Sequence, residues 1–303
     1  MKKGFLIFSI LFVVFMTWYL FIKESDYTIN FKSATFPETI NQSLKLWNNG
    51  LENAVPLEEL DDFKHLKQTI TASDSLHTYL WNIKSLTDST SQVSVGVTDK
   101  NFWNSIFNRL EVPFTKTNFS LGSEKIVLDF MTALKDHVDN FKITIIGLET
   151  IPEKNLAYVP IKKAQIEKAK GMMENSTFIG EILTKNGIEL DGPPMIEITE
   201  WNREKDSIAY NFGYPILPNQ NVPLNTEIQY KKLESKTGIK AIYNGNYITS
   251  DRAWYALLNY AKNNDLEVEP RPIEVFYNNP DLGGNALDWK TEVFLPLSEK
   301  IQK

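Results

Sequence analysis

The sequence predicts an α+β protein in three parts: a transmembrane helix in residues 1–25, an α+β domain in residues 26–141 and a second α+β domain in residues 142–303. Three observations lead to this prediction. An uncharged apolar run opens the chain, short alternating strands and amphipathic helices follow it, and one segment of the sequence returns in altered form 78 residues further on. The repeat is the strongest signal, because self-similarity at a fixed offset indicates two copies of one folding unit.

The composition excludes several classes of protein. A hydrophobic content of 42% and a charged content of 23% are ordinary for a globular protein. Without Lys2, Lys3 and Lys23, 29 basic residues stand against 38 acidic ones, a formal charge of −9. A body of that charge repels phosphate backbones, so nucleic acid is not an expected partner. The chain has no cysteine, which excludes thiol nucleophiles, disulfides and thiolate metal sites.

Residues Gly4–Ile22 predict a membrane anchor. These 19 residues carry no charge, and as a helix they would span roughly 28 Å, close to the thickness of a bilayer's hydrocarbon core. A cleaved signal peptide is the alternative, but no small-residue cleavage site follows the apolar run. Lys2 and Lys3 before the run favour a single-pass protein with its body on the outer, periplasmic side.

The first domain reads as a strand, a helix, a meander of strands and a closing helix. Residues Asp26–Ala34 alternate apolar and polar side chains, and Phe36-Pro37 opens a helix that carries Trp47 near its end. Two or three strands follow, before an amphipathic helix in Lys125–Phe141. This order and the opening residues resemble a degenerate START-like (SRPBCC) α+β domain. We transfer no functional residue from that resemblance.

The second domain is predicted to be a duplication. Asn186–Pro194 aligns without a gap on Asn264–Pro272, and in each copy the segment follows a helix and leads into a strand. The helix of the second copy has a clear apolar stripe, formed by Trp254, Leu257, Leu258 and Ala261. One βαββ-type copy cannot bury both faces of its strands. Two copies should therefore join into one antiparallel sheet backed by two helices.

This arrangement resembles the effector-binding domain of the GyrI-like family, which occurs in gyrase-inhibitory proteins and behind the DNA-binding parts of AraC- and MerR-type activators. The matching segments are Tyr243–Tyr247, Glu274–Phe276, Asn279-Pro280 and Leu295–Leu297. Phe276 stands where the family often has tyrosine, and the first helix lacks the family's Gly-x-Tyr start. The predicted anchor and first domain precede this domain, so the transcriptional role of the fused relatives is not transferred.

Glu274 is the principal candidate for a site. From the residues alone it is either an exposed carboxylate at a strand edge or the floor of a ligand site, and it aligns with Ile196 of the first copy. The resemblance implies the second option, with the carboxylate receiving a cationic, lipophilic ligand between the copies. Aromatic faces would add cation–π attraction. The candidate rings are Tyr210, Tyr214, Tyr243, Tyr247, Trp254 and Phe276. From the residues alone each ring is more typical of the core or the rim than of a ligand site, and Trp254 in particular is typical of a helix core.

These observations favour a membrane-anchored protein that binds a small lipophilic molecule, with a cationic group as one option, in the cleft of the second domain. A hydrolase that acts on reactive small molecules in the same cleft is one alternative, with Glu274 as acid or base. An envelope module for protein interaction, whose cleft is filled by its own side chains, is the other. We expect no cofactor and no metal, because His65, His77 and His137 lack ligand spacing.

Overall fold

The structure is a computed structural model that describes residues 2–52, 55–60, 64–72, 75–87, 90–203, 205–223 and 227–298. The chain forms two compact units, Met1–Asp136 and His137–Lys303. Both units contain an antiparallel sheet and helices. The predicted α+β class is therefore confirmed.

The apolar N-terminal run forms two short helical pieces. Helix α1 covers Lys2–Thr17, and a π-helical turn follows at Trp18–Ile22. Among the residues that the structure describes, no helix is both long enough and apolar enough to cross a membrane, so the predicted transmembrane helix is not supported.

The rest of the first unit is a five-stranded antiparallel sheet with three helices. Its strands are β1 (Tyr27–Ser33), β2 (Glu58–Glu59), β3 (His65–Ala72), β4 (Ser75–Thr87) and β5 (Thr90–Asp99), in the order β1-β5-β4-β3-β2. The helices are α2 (Pro37–Asn49), α3 (Phe102–Glu111) and α4 (Asn118–Asp139). The predicted succession of strand, helix, meander and long helix is present, with α3 as an addition that the sequence did not predict. The likeness to START-like domains stays a prediction.

The second unit contains one eight-stranded antiparallel sheet and two main helices. Its strands are β6 (Phe141–Ile151), β7 (Lys154–Ala164), β8 (Met195–Asn202), β9 (Ser207–Ile216), β10 (Gln229–Leu233), β11 (Lys236–Gly245), β12 (Ile273–Phe276) and β13 (Lys290–Pro296). Helix α5 (Lys168–Lys185) packs on β7 and β9, and helix α6 (Arg252–Asn263) packs on β11, β13 and β6. One sheet backed by two helices is the predicted arrangement.

The strand order reveals how the two copies combine. The sheet runs β10-β7-β9-β8-β12-β13-β11-β6, so the two copies meet where β8 pairs with β12. At each outer edge the copies exchange their first strands: β6 of the first copy pairs with β11, and β10 of the second pairs with β7. At the centre Glu274 lies directly opposite Ile196, the residue with which the repeat aligns it.

The sheet of the second unit separates two apolar clusters. The larger lies under α5 and α6 and includes Ile196, Phe212, Tyr243, Trp254 and Phe276. The smaller cluster consists of Ile151, Leu156, Met195, Ile273 and Phe294. Because successive side chains of a strand point to opposite faces, Ile273 joins the small cluster while Glu274 and Phe276 face the helices.

Candidate ligand site around Glu274

Glu274 lies at the centre of the sheet and is fully buried, with none of its surface exposed. On β12 its neighbours across the strands are Ile196 on β8 and Val293 on β13, both of which are also fully buried. The interpretation of Glu274 as an exposed edge residue is therefore wrong, because β12 is an internal strand. A carboxylate in such a place requires polar partners to offset the loss of its hydration.

Lys168 is the main partner of this carboxylate. Its Nζ lies 2.9 Å from Oε1 and 2.8 Å from Oε2 of Glu274, and both side chains are completely shielded from solvent. Two further groups donate to the carboxylate: the indole Nε1 of Trp254 to Oε1 at 2.6 Å and the hydroxyl of Ser250 to Oε2 at 2.8 Å. Glu274 thus has direct partners from α5, from α6 and from the turn before α6.

The ammonium group of Lys168 is equally well satisfied. Besides the two carboxylate oxygens, it lies 2.6 Å from Ser250 Oγ, and it sits 4.9 Å from the centroid of the Trp254 ring. An ammonium has three hydrogens to donate, and three acceptors surround it. We call Glu274, Ser250 and Trp254 the cation cage. The cage supplies a carboxylate, a hydroxyl oxygen and an aromatic face, and Lys168 occupies it.

The first turn of α5, which delivers Lys168 to the cage, is weakly specified by its local sequence. The residue before the helix, Glu167, makes no capping hydrogen bond with its side chain, and the first helical turn contains no acid. Lys168 and Lys170 place positive charge at the helix end whose dipole already disfavours it. Gly171, one turn on, further lowers helix propensity. Tertiary contacts therefore hold this turn in place.

Tyr210 makes one of those contacts. Its hydroxyl donates to the backbone carbonyl of Lys168 at 2.8 Å. A Cβ on Gly171 would lie 2.2 Å from that hydroxyl, so glycine is required for the close approach of α5 to β9. Burial raises the pKa of Tyr210, so its hydroxyl stays protonated and continues to donate.

A second buried polar group lies beside the cage. Gln165 donates to Asp251 Oδ2 at 2.6 Å and to the hydroxyl of Tyr255 at 2.9 Å, and it accepts from Trp201 Nε1 at 2.9 Å. Asp251 also pairs with its neighbour Arg252 at 3.1 Å. These contacts fix the turn before α6, and with it Ser250, because each buried polar atom is held by a named partner.

The structure places the other predicted site residues as follows. Trp254 is the only candidate ring that contacts the Glu274 carboxylate directly in the described hydrogen bonds. The other rings lie around it in the helix-covered cluster: Tyr210, Tyr243, Tyr247 and Phe276 are buried, and Tyr214 is half-buried. Their role in ligand binding stays a prediction.

Sequence reasoning missed two members of the site. Lys168 lies 106 residues from Glu274, and a lysine at a helix start normally faces solvent. Ser250 lies in the turn before α6, where a serine or threonine is typical of a helix cap. The helix begins after Asp251 without a side-chain cap, and the Ser250 hydroxyl contacts Glu274. The sequence carries no periodic signal for such a long-range polar contact.

Burial raises the pKa of Glu274, while the adjacent Lys168 ammonium and the Ser250 hydroxyl oppose that rise. A cation in the cage therefore favours the ionised form of Glu274. Without a cation, the carboxyl group would take up a proton at a higher pH than an ordinary glutamate.

A cavity of about 240 Å³ opens on the face of the sheet that carries Ile273. Its lining combines apolar side chains with charged ones, among them Glu197, Lys231, Glu269 and Arg271. Lys231 and Glu197 form an ion pair there. None of the predicted ligand residues lines this cavity.

Comparison with known proteins identifies the second unit. The family model described as a GyrI-like small molecule binding domain matches residues 148–298. The chain carries a GyrI-like domain. No curated protein matches the sequence.

Several solved structures align with about half of this chain at low identity. The C-terminal domain of EcmrR is 16% identical, with a TM-score of 0.43, over 52% of this chain and 98% of that chain. The structure of SAV2435 bound to tetraphenylphosphonium is 9% identical, with a TM-score of 0.37, over 52% of this chain and 94% of that chain. A hydrolase encoded by lin2189 from Listeria innocua is 13% identical, with a TM-score of 0.32, over 50% of this chain and 92% of that chain.

The GyrI-like domain should lose stability in mild acid because of His137. Burial and the nearby Arg252 guanidinium lower the pKa of His137 to about 4, against the opposing effect of Asp251, and Arg252 Nε donates to its Nε2 at 3.3 Å. An unfolded histidine, with a pKa near 6.5, gains a proton that the folded one does not. The free energy of unfolding should therefore fall as the pH drops from 6.5 towards 4, by at most about 1.4 kcal/mol per pH unit from this group.

Urea unfolding at pH 7, 6 and 5 measures this slope in the native protein and in His137→Gln. Glutamine keeps an acceptor for Arg252 but does not titrate, so the variant should show the shallower slope. Equal slopes in the two proteins would contradict the role given to His137.

Proposed function

We propose that the GyrI-like domain binds small lipophilic cations and that the cationic group of the ligand takes the place of Lys168 Nζ in the cation cage. The match to a small-molecule binding family supports ligand binding in general. The observation that carries the finer proposal is the cage itself, a fully buried carboxylate whose two oxygens lie 2.8 and 2.9 Å from an ammonium group. A buried carboxylate needs a positive charge beside it, and a ligand cation that reaches Glu274 can provide this charge in place of Lys168.

In this proposal the first turn of α5 moves to admit the ligand to the cation cage. Its local sequence holds it weakly, since it lacks a capping side chain and carries Lys168 and Lys170 at its positive end. It is attached by the Lys168–Glu274 pair, by the hydrogen bond from Tyr210 and, directly before the helix, by the hydrogen bonds of Gln165. A ligand cation that replaces Lys168 removes the first attachment. The turn can then move outward and release Lys168 to water, where a lysine is well solvated.

The rings around the cage suit the apolar part of such a ligand. The Phe276 and Tyr247 rings pack at a tilt of 56° with 4.9 Å between their centroids, and Trp201 contacts the Trp254 ring edge-on at 5.1 Å. Displacement of the α5 turn would open these faces to a bound molecule. Aromatic faces attract a cation by about 0.5–2 kcal/mol each, which favours cationic over neutral ligands of equal size.

Binding of a lipophilic cation tests this function. Tetraphenylphosphonium is a suitable probe, and it should bind the native protein while Glu274→Gln binds at least about tenfold more weakly, because one lost charge-assisted contact is worth about 1.5–3 kcal/mol. Titration calorimetry below the melting temperature of each variant gives the affinities. Glu197→Gln is the matched control, since Glu197 lies on the neighbouring strand β8 and lines the cavity on the other face. Equal affinity in Glu274→Gln and native protein would refute the role of the cage.

An interaction module remains as a second candidate, because the site is filled by the protein's own side chains, as that alternative requires. In that case the Lys168–Glu274 pair only stabilises the fold, and a screen of lipophilic cations finds no ligand for the folded native protein. The hydrolase alternative, with Glu274 as acid or base, stays a prediction.

We also propose that residues 4–22 attach the protein to a membrane, with the body on the outer side. Large apolar side chains along this segment are exposed over more than half of their surface, among them Leu6, Phe8, Leu11 and Phe12. An apolar surface of that extent is unfavourable in water and is typical of a segment covered by lipid or protein. Co-flotation of the full chain with lipid vesicles measures the attachment.

A further inference from the structure

Helix α3 of the first unit exposes an aromatic surface that the sequence did not predict. This surface, the α3 surface, consists of Phe102, Trp103, Phe107 and Leu110 on the helix and Phe114 in the turn after it, which are between 39% and 89% exposed. Four of its five members are aromatic. Single exposed apolar residues are common on proteins, but a contiguous patch of large ones marks a surface that contacts a partner or a membrane.

The helix is attached to the first unit through its polar residues. Ser105 and Arg109 are buried, and both donate to the carboxylate of Asp26, at 2.6 and 2.7 Å. The side chain of Asp26 is itself completely buried and accepts a third hydrogen bond, from the backbone of Asp99. The polar side of α3 is therefore fixed inward and its aromatic side is held outward, the reverse of a helix on a water-soluble domain.

The α3 surface is continuous with the apolar N-terminal segment. Arg109 Nη1 donates to the backbone carbonyls of Tyr19 and Leu20 at 3.3 and 3.0 Å, and the hydroxyl of Tyr19 donates to the carbonyl of Arg109 at 2.9 Å. The rings of Phe21 and Phe102 stack at 6.4 Å between centroids. The end of the N-terminal segment and α3 thus form one connected apolar region.

We propose that the α3 surface lies in the interfacial layer of a lipid bilayer and holds the first unit against the membrane. Tryptophan and phenylalanine on one face of a helix suit the boundary between headgroups and acyl chains. Because the α3 surface is continuous with the N-terminal segment, the same partner covers both, and the membrane attachment proposed for that segment makes this partner lipid. The inference rests on the proposed membrane attachment and adds a second contact to it.

Site-specific labelling of the full chain tests this contact. The sequence has no cysteine, so Phe107→Cys can carry a single environment-sensitive fluorophore. Ser85→Cys is the matched control, because it lies in the part of the β4–β5 hairpin remote from α3, paired with Ser91, whereas His77 and Asp99 pair at the end next to α3. The labelled proteins are bound to phosphatidylethanolamine–phosphatidylglycerol vesicles with and without a spin-labelled quencher lipid. Quenching at position 107 and none at position 85 is the expected result.

The other outcomes separate this inference from membrane attachment itself. If both proteins float with the vesicles and neither label is quenched, the N-terminal segment binds lipid but the α3 surface does not, which overturns the inference alone. If neither protein floats, attachment and inference both fail. Trp103→Ser in the Phe107→Cys background should reduce quenching, since it removes an interfacial anchor beside the label, and unchanged quenching would count against the α3 surface.

Discussion

Replacing Lys168 with methionine should lower the free energy of unfolding of the GyrI-like domain by about 3–5 kcal/mol at neutral pH. The substitution keeps most of the side-chain volume but removes the cation between the two carboxylate oxygens of Glu274. A buried carboxylate without its partner must stay charged at high cost or take up a proton. Since burial raises the pKa of Glu274, protonation is the cheaper course.

This argument fixes the sign of the pH dependence. In Lys168→Met the folded carboxyl group binds its proton more tightly than the unfolded one, so stability is full below the unfolded pKa of about 4.5 and falls as the pH rises through the folded pKa. The variant should accordingly be more stable at pH 5 than at pH 7, relative to native protein. Urea unfolding of native protein and Lys168→Met at pH 5 and pH 7 measures both the loss in the free energy of unfolding and its change with pH.

Two further variants separate the ion pair from packing. Lys168→Met combined with Glu274→Leu replaces the pair by apolar groups and should recover most of the loss. Lys170→Met, at the exposed lysine of the same turn, should change the free energy of unfolding by less than about 0.5 kcal/mol. A loss below about 1 kcal/mol in Lys168→Met itself would mean that the pair contributes as little as a surface ion pair does.

The sequence predicts most of the fold of the second unit because its signals are local and duplicated. Alternating strands, the apolar stripe of α6 and the repeat at Asn186–Pro194 and Asn264–Pro272 are all readable in short windows. The exchange of β6 and β10 between the copies is not readable. Both pairings are antiparallel, and the local sequence of each edge strand does not distinguish its two possible partners. Only assembly of the complete sheet selects between them.

The site is predicted less completely than the fold. The repeat draws attention to Glu274, because it is charged and the residue aligned with it in the first copy, Ile196, is apolar. The structure places these two residues opposite each other. Whether that carboxylate is buried, and by what, depends on the path of a helix more than 100 residues away. Helix α3 shows the same limit in the first unit: its buried side is polar, so a search for an inward apolar stripe does not find it.

The closed cage and the proposed ligand site are two states of one arrangement. A carboxylate in the middle of a sheet persists only if some cation is always available to it, and Lys168 supplies that cation when no ligand is bound. A ligand must then bind more strongly than the internal ammonium by enough to offset the release of the α5 turn. The affinity measured for a ligand cation in the native protein is therefore lower than the affinity of the empty cage for the same cation.

Removing the internal competitor should reveal that affinity. In Lys168→Ala the atoms lost beyond Cβ correspond to propylammonium, so this small cation should bind the vacated cage and restore stability. One-site linkage predicts a gain of about 2.7 kcal/mol in the free energy of unfolding when the ligand concentration is 100 times its dissociation constant. Thermal unfolding of the variant across a series of propylammonium concentrations measures the effect.

The controls assign the rescue to the charge and to Glu274. Propanol has the same size without the charge and should not raise the melting temperature of Lys168→Ala, and propylammonium should leave the native protein unchanged because Lys168 already fills the cage. In Lys168→Ala combined with Glu274→Gln the response should disappear. If propylammonium stabilises this double variant as strongly as the single one, the cation acts elsewhere on the protein, and the Glu274 cage is not a cation-binding site.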